Sequence, residues 1–132
     1  IERIRQADVI FTFRSKNKVP QYVWEQAGGK MVIGLGPKAY GINNGQVYSH
    51  RKDPDYLRTT VPAFPECIRL NDLWKEDWGD DYVDFMSPVL VGERVKVFTP
   101  DGKFISQDCR HLTPAGAKWY GSVLKLHRFL RK

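Results

Sequence analysis

FISQDCRHLTPAGAKWYG, residues 104–121, is the stretch on which the reading of this chain turns. A β-favouring run ends at Asp108, Cys109 and Arg110 separate it from His111, and Thr113-Pro114 then opens a helical pattern. A threonine oxygen can cap a helix, and proline suits the first helical position because that amide would be unpaired anyway. The spacing therefore predicts Asp108 and His111 in a tight loop leading into a helix. A carboxylate and an imidazole held that close can act as orienter and base. The carboxylate fixes the tautomer and stabilises the imidazolium that forms when the ring takes a proton. The alternative is a capping loop with a surface histidine.

Upstream, VKVF (95–98) and KFIS (103–106) flank Thr99-Pro100-Asp101-Gly102, a turn signature, so a hairpin is expected to deliver the chain to Asp108. Downstream, the helical pattern runs from Pro114 to about Phe129. Tyr120, Val123, Leu124, His127 and Leu130 form one stripe, widened by Leu126 and Phe129, with His127 read as structural. Gly116 and Gly121 weaken a helix and so suggest close packing against a neighbour.

The amino-terminal third reads as a βαβ unit. Residues 8–13 form an apolar run and Arg14–Lys18 a polar loop. VPQYVWEQA (19–27) reads as a short helix ended by Gly28-Gly29, and KMVIGLG (30–36) as a second apolar run. Continuous apolar strands suit a parallel sheet covered on both faces, and the crossover is expected to be right-handed. Residues 37–65, rich in Pro and Gly without strong periodicity, read as a long loop over the carboxyl edge of the sheet. With Tyr40, Asn43, Tyr48, His50 and Tyr56 it is either an acceptor-recognition lid or a polar surface loop. Tyr40 and Asn43 are its candidate substrate contacts. A helix over 66–78, stopped by Gly79, and a short strand over 81–85 complete an α/β pattern. Asp77, Asp80, Asp81 and Asp84 lack the alternating spacing of a calcium loop and read as a solvated face, so no metal site is assigned.

The chain has 132 residues, 42% of them hydrophobic and 13% aromatic, which suits one globular domain. No apolar run is long enough to span a bilayer, and no signal peptide is visible. The net charge of +6 is spread along the chain, with small clusters at Arg14–Lys18 and Arg128–Lys132. Nucleic-acid binding would want a concentrated patch or a known module. Cys67 and Cys109 have no metal-ligand spacing, and no disulfide follows from their positions.

DCRHLTPAGA resembles the last signature block of the SGNH (GDSL-type) esterases and acyltransferases, closest to bacterial members that modify glycans. The resemblance is specific over residues 95–121. It implies a three-layer α/β/α sandwich with a mostly parallel, flavodoxin-like sheet, and no cofactor. It also implies a serine esterase or O-acyltransferase acting on acyl esters, first of all acetyl esters, of a glycan, with His111 as general base and Asp108 as its orienter. In the family an Asp-led strand is followed by Gly-x-Asn, whose Asn helps hold the oxyanion. Asp8 and Ser15-Lys16-Asn17 match with Ser in place of Gly, so Asn17 is either that donor or a plain loop residue. Arg14, on the same loop, is a candidate substrate contact.

The family's Gly-Asp-Ser nucleophile block is missing: Gly79-Asp80 is followed by Asp81, and Ser15, Ser49, Ser87, Ser106 and Ser122 lack its context. The first residue is Ile, and IERIRQ reads like the tail of a helix. The expectation is that residues 1–132 are the carboxyl-terminal portion of a single SGNH-type domain. Its first strand and nucleophilic Ser would belong to an upstream segment or second chain. The alternative is a glycan-binding or scaffolding domain of the same fold that lacks catalysis.

Overall fold

The computed structural model describes residues 1–130, so Arg131 and Lys132 of the second basic cluster lie outside the described residues. The chain opens with a short helix, α1 (Glu2–Gln6), and the strand β1 (Val9–Thr12). The expected crossover follows as α2 (Gln21–Ala27) and β2 (Met31–Leu35). Gly28 ends α2 at φ 59°, a left-handed conformation that glycine adopts without steric penalty. β1 and β2 pair in parallel with Val9 opposite Met31 and Thr12 opposite Gly34.

The segment 37–65 is more regular than a loop. It holds α3 (Asn44–Ser49), a 3-10 turn over Tyr56–Arg58 and β3 (Thr60–Pro62). Next comes α4 (Pro65–Trp78), with proline at its start. β4 (Tyr82–Val83) is shorter than expected and adds to the other side of β2, giving a parallel sheet of order β1-β2-β4. Asp84 ends it by turning its carboxylate to the amides of Met86 (3.0 Å) and Ser87 (2.8 Å) and to Lys75 Nζ (3.0 Å). Burial opposes ionisation of this group, but the hydrogen bonds outweigh it and hold the carboxyl below its ordinary range. Asp84 is thus a structural acceptor.

β5 (Leu90–Val91) and β6 (Arg94–Lys96) join β3 in an antiparallel sheet of order β3-β6-β5 that sequence reading did not anticipate. Pro62 fits there because β3 is an edge strand, where a missing amide donor is tolerated. The architecture is therefore mixed α/β, a small parallel sheet beside a small antiparallel one.

Alternate residues of β2 point to opposite faces of the parallel sheet. Val32 packs with Val23, Ala27 and Trp78, beneath α2 and α4. Ile33 packs with Val83 and Phe129 on the other face. The largest cluster lies between the antiparallel sheet and the last helix, α5 (Pro114–Val123), and includes Tyr40, Val61, Val95, Ile105 and Tyr120.

The expected long closing helix stops early. Leu124 caps α5, Lys125 turns left-handed at φ 50°, and Leu126–Phe129 form a 3-10 turn. That turn swings Phe129, 5% exposed, under the parallel sheet against Ile33. The expected stripe holds only in part: Val123, within α5, is exposed, and beyond Leu124 so are His127 and Leu130, so His127 is not a packing residue. Gly116 does meet a close neighbour, since a Cβ there would sit 2.0 Å from the Ile105 carbonyl oxygen. Among the described residues nothing comes within 4 Å of a Cβ built at Gly121.

Candidate active site

The expected hairpin over 95–106 forms, with Phe98 and Phe104 bridged across it, and Asp108 and His111 sit at the tip of a second hairpin that follows it. Ser106 and Leu112 form an antiparallel bridge, the Gln107 amide donates to the His111 carbonyl (2.7 Å) and the Ser106 hydroxyl donates to the same oxygen (2.8 Å). The Thr113 amide closes the base of the hairpin onto the Ile105 carbonyl (3.0 Å). The Thr113 hydroxyl accepts from the Gly116 amide (2.9 Å), capping α5, and donates to the Phe104 carbonyl (2.5 Å). One hydroxyl therefore fixes both the helix start and its distance from the preceding strand.

At the tip, Asp108 Oδ1 accepts from the amides of Arg110 (3.1 Å) and His111 (2.8 Å), a local turn that aspartate favours. Asp108 Oδ2 meets His111 Nδ1 at 2.6 Å. The His111 amide, then its ring, then the Arg110 amide stabilise the charged carboxylate and hold it down at about 2. Asp108 is thus ionised at neutral pH, and its charge favours the proton on Nδ1. Nε2 is left as the nitrogen that can take a proton.

The turn requires Cys109 in the left-handed region at φ 70°, a costly conformation for a residue other than glycine. Neighbouring segments hold it there. The Tyr40 amide donates to the Cys109 carbonyl (2.9 Å) and the Cys109 thiol donates to the Ile42 carbonyl (2.6 Å). Asn44 Nδ2 donates to the Ser106 carbonyl at 2.6 Å, with a longer contact to Gln107 at 3.3 Å. Burial and the neighbouring Asp108 carboxylate raise the Cys109 thiol above its ordinary value, consistent with a donating S–H.

The side chains of His111 and Asp108 are 75% and 53% exposed, so the pair faces solvent and adds little to stability. His111 and Arg110 overhang a groove of about 600 Å³. Its floor comes from Phe13, just past β1, and from Pro37, Lys38 and Ala39, just past β2. Phe64, Glu66 and Cys67 form the far wall at the start of α4. The groove therefore opens at the carboxyl edge of the parallel sheet, where open α/β sheets place ligands. An imidazole with one free nitrogen, over such a groove, can act as a general base toward a nucleophile placed there. No serine is among the groove's lining residues.

Compared with known proteins, the chain matches no family model, no curated protein and no solved structure.

The other residues singled out from sequence fall outside this groove. Asn17 is exposed in the 3-10 turn Lys16–Lys18, where its Oδ1 accepts from the Ser15 hydroxyl at 2.9 Å. Arg14 has an exposed side chain, and its carbonyl accepts from the Trp78 indole at 2.9 Å. Asn43 caps α3, its Oδ1 accepting from the Gly45 amide at 2.6 Å. Tyr40 is corrected: it is 2% exposed in the core beside Tyr120, and burial pushes its hydroxyl up to about 12. A ring so enclosed cannot meet a substrate from solvent.

Lys38, Cys67, Arg110 and the hairpin-holding Asn44 were missed by sequence reading. Arg110 lies inside the motif itself, and Lys38 directly follows a strand, so position alone could have flagged both. Cys67 gave no signal, because its place in the groove depends on how α4 docks. Burial first, then the Glu66 carboxylate, raise the Cys67 thiol, with Arg110 opposing them.

Proposed function

We propose that this chain supplies the base and its orienter for a serine esterase or O-acyltransferase acting on acyl esters, acetyl first, of a glycan. The observation that carries the reading is the 2.6 Å contact between Asp108 Oδ2 and His111 Nδ1 above the groove at the sheet's carboxyl edge. In this reading His111 Nε2 takes the proton of a serine hydroxyl as it attacks the ester carbonyl, then returns it to the leaving alcohol. Asp108 keeps the tautomer and stabilises the imidazolium. Water as acceptor gives an esterase, and a sugar hydroxyl gives a transferase. The nucleophilic serine comes from a separate segment or chain carrying Gly-Asp-Ser, within a complete SGNH-type sandwich. That segment would also shield the solvent-facing pair, strengthening its electrostatics.

The absence of serine from the groove lining favours a second reading, a glycan-binding or scaffolding domain of this fold without catalysis. Denaturing intact-mass analysis and peptide sequencing of the purified protein separate the two. A second polypeptide bearing Gly-Asp-Ser is the expected finding, and with it His111→Ala should lower ester hydrolysis by about 10²–10⁴-fold. A pure 15.3 kDa species with no such segment, or unchanged hydrolysis in His111→Ala, sinks the catalytic reading.

A further inference from the structure

A second depression, of about 510 Å³, lies beside the antiparallel sheet and α5 and shares no lining residue with the groove under His111. It is lined by Leu57, Val91, Phe98 and Trp119 together with Arg58 and Lys96. The aromatic wall is braced from behind. Phe98 packs against Tyr56 (4.8 Å between centroids) and Phe104 (4.7 Å), and Trp119 packs against Tyr120 (4.9 Å). Such rings keep their orientation when a ligand arrives, so little ordering cost attends stacking on them.

Leu57 and Val91 are 59% and 51% exposed, leaving apolar surface at the mouth that a ligand would cover. Among the described residues Lys96 forms no ion pair, and Arg58 meets only Asp55 at 3.8 Å, both side chains more than 80% exposed. A contact that long and that wet binds weakly and leaves the guanidinium free for a better partner. Among the described residues no carboxylate lines the depression. Two available cations over a rigid apolar wall complement a ligand with one anionic end and one flat apolar face. The volume suits a single ring or two, not a folded polymer segment.

We propose that this pocket binds a small organic carboxylate with a flat apolar face, its carboxylate held by Arg58 and Lys96 and its flat face against Trp119. Arginine matches a carboxylate with two parallel donors, and lysine adds a point charge. The same chemistry is found in a sugar acid and in an aromatic acid. The site is independent of the Asp108–His111 reading, and its test uses none of those residues.

The test is a titration of the full chain with galacturonate, benzoate and uncharged galactose, followed by two-dimensional NMR. Trp119→Phe assigns the Trp119 indole resonance. Galacturonate or benzoate should shift that resonance saturably while galactose does not. A response to galacturonate alone identifies a sugar acid; a response to benzoate alone identifies an aromatic acid. The exposed pair Arg58→Ala with Lys96→Ala should weaken the binding at least about tenfold, the loss expected for one charge-assisted hydrogen bond. Lys96→Gln alone should weaken it in the same direction. Equal binding of galactose and galacturonate, affinity unchanged in both variants, or no shift with either acid overturns the proposal.

Discussion

Gly116 and Gly121 lie on the same helix, and the same substitution should move stability in opposite directions at the two. An alanine Cβ at 116 would stand 2.0 Å from the Ile105 carbonyl oxygen, 2.8 Å from its carbon and 3.0 Å from its Cα. All three are backbone atoms of the bridged segment that feeds the site hairpin, so no side chain can rotate away. Overpacking of this kind costs about 1–3 kcal/mol, and a fixed backbone neighbour points to the upper end. The gain in helix propensity, about 0.5–1 kcal/mol, offsets part of it. Gly116→Ala should therefore destabilise by about 2 kcal/mol net. At Gly121 no described residue lies within 4 Å of the new Cβ, so only the propensity gain remains and Gly121→Ala should stabilise by about 0.5–1 kcal/mol. With a urea slope of about 2 kcal/mol/M, the first variant moves the midpoint down by roughly 1 M and the second up by a few tenths. Equal midpoints for the two variants would refute the close packing of α5 on the Ile105 backbone.

Three further outcomes test the site. The Asp108 carboxyl, followed by carbon NMR, should titrate near pH 2, and His111→Ala should raise that midpoint because the ring no longer supports the charge. Since the folded carboxyl is depressed below its unfolded value of 3.8, its support for the hairpin is complete above that value and lost as pH falls through about 2. An ordinary midpoint in the wild type would show that the turn is not formed. Asn44→Ala removes the donor to the Ser106 and Gln107 carbonyls, so it should cost about 1 kcal/mol and speed amide exchange at Gln107. Unchanged exchange would mean that α3 does not hold the hairpin. Glu66→Gln should lower the Cys67 thiol and so speed its alkylation near neutral pH, whereas slower alkylation would reverse the assigned influence of Glu66.

The βαβ unit was legible because its two apolar stretches, 9–13 and 31–36, contain no charged residue and are separated by a helical pattern that Gly28-Gly29 ends. The antiparallel sheet was not, because β3, β5 and β6 span only two or three residues each, too short to show a period of two. Pro62 further disguises β3, and β6, which overlaps the hairpin arm read at 95–98, pairs with residues more than thirty positions away in the chain. At the carboxyl end periodicity misled. Leu126, Phe129 and Leu130 continue a helical spacing past Val123, yet burying Phe129 against Ile33 requires the chain to turn at Lys125. The site divided along the same line. Asp108, His111 and the Thr113 cap are contiguous and could be read locally. The groove could not, since Phe13, Lys38 and Cys67 reach it from three separate elements. Tyr40 was misplaced because an aromatic between Pro37 and Gly41 reads as loop, while tertiary packing draws it against Tyr120.

The ties on the hairpin bear on why the pair exists. A loop whose task ended at capping α5 would need only Thr113, whose hydroxyl already satisfies the Gly116 amide. Instead the tip is strained at Cys109 and fastened by the Tyr40 amide, the Ile42 carbonyl and the Asn44 side chain, all from one stretch following β2. Those contacts leave α5 unchanged and fix the direction of the tip. The exposed ion pair cannot be their reason, because at that exposure it contributes little to folding. They do tie down the backbone that carries the imidazole, whose Nδ1 meets Asp108 Oδ2. Strain retained at the half-buried Cys109 and compensated by longer-range contacts is characteristic of sites where orientation matters more than stability. The surplus fastening therefore favours a positioned base over a capping loop.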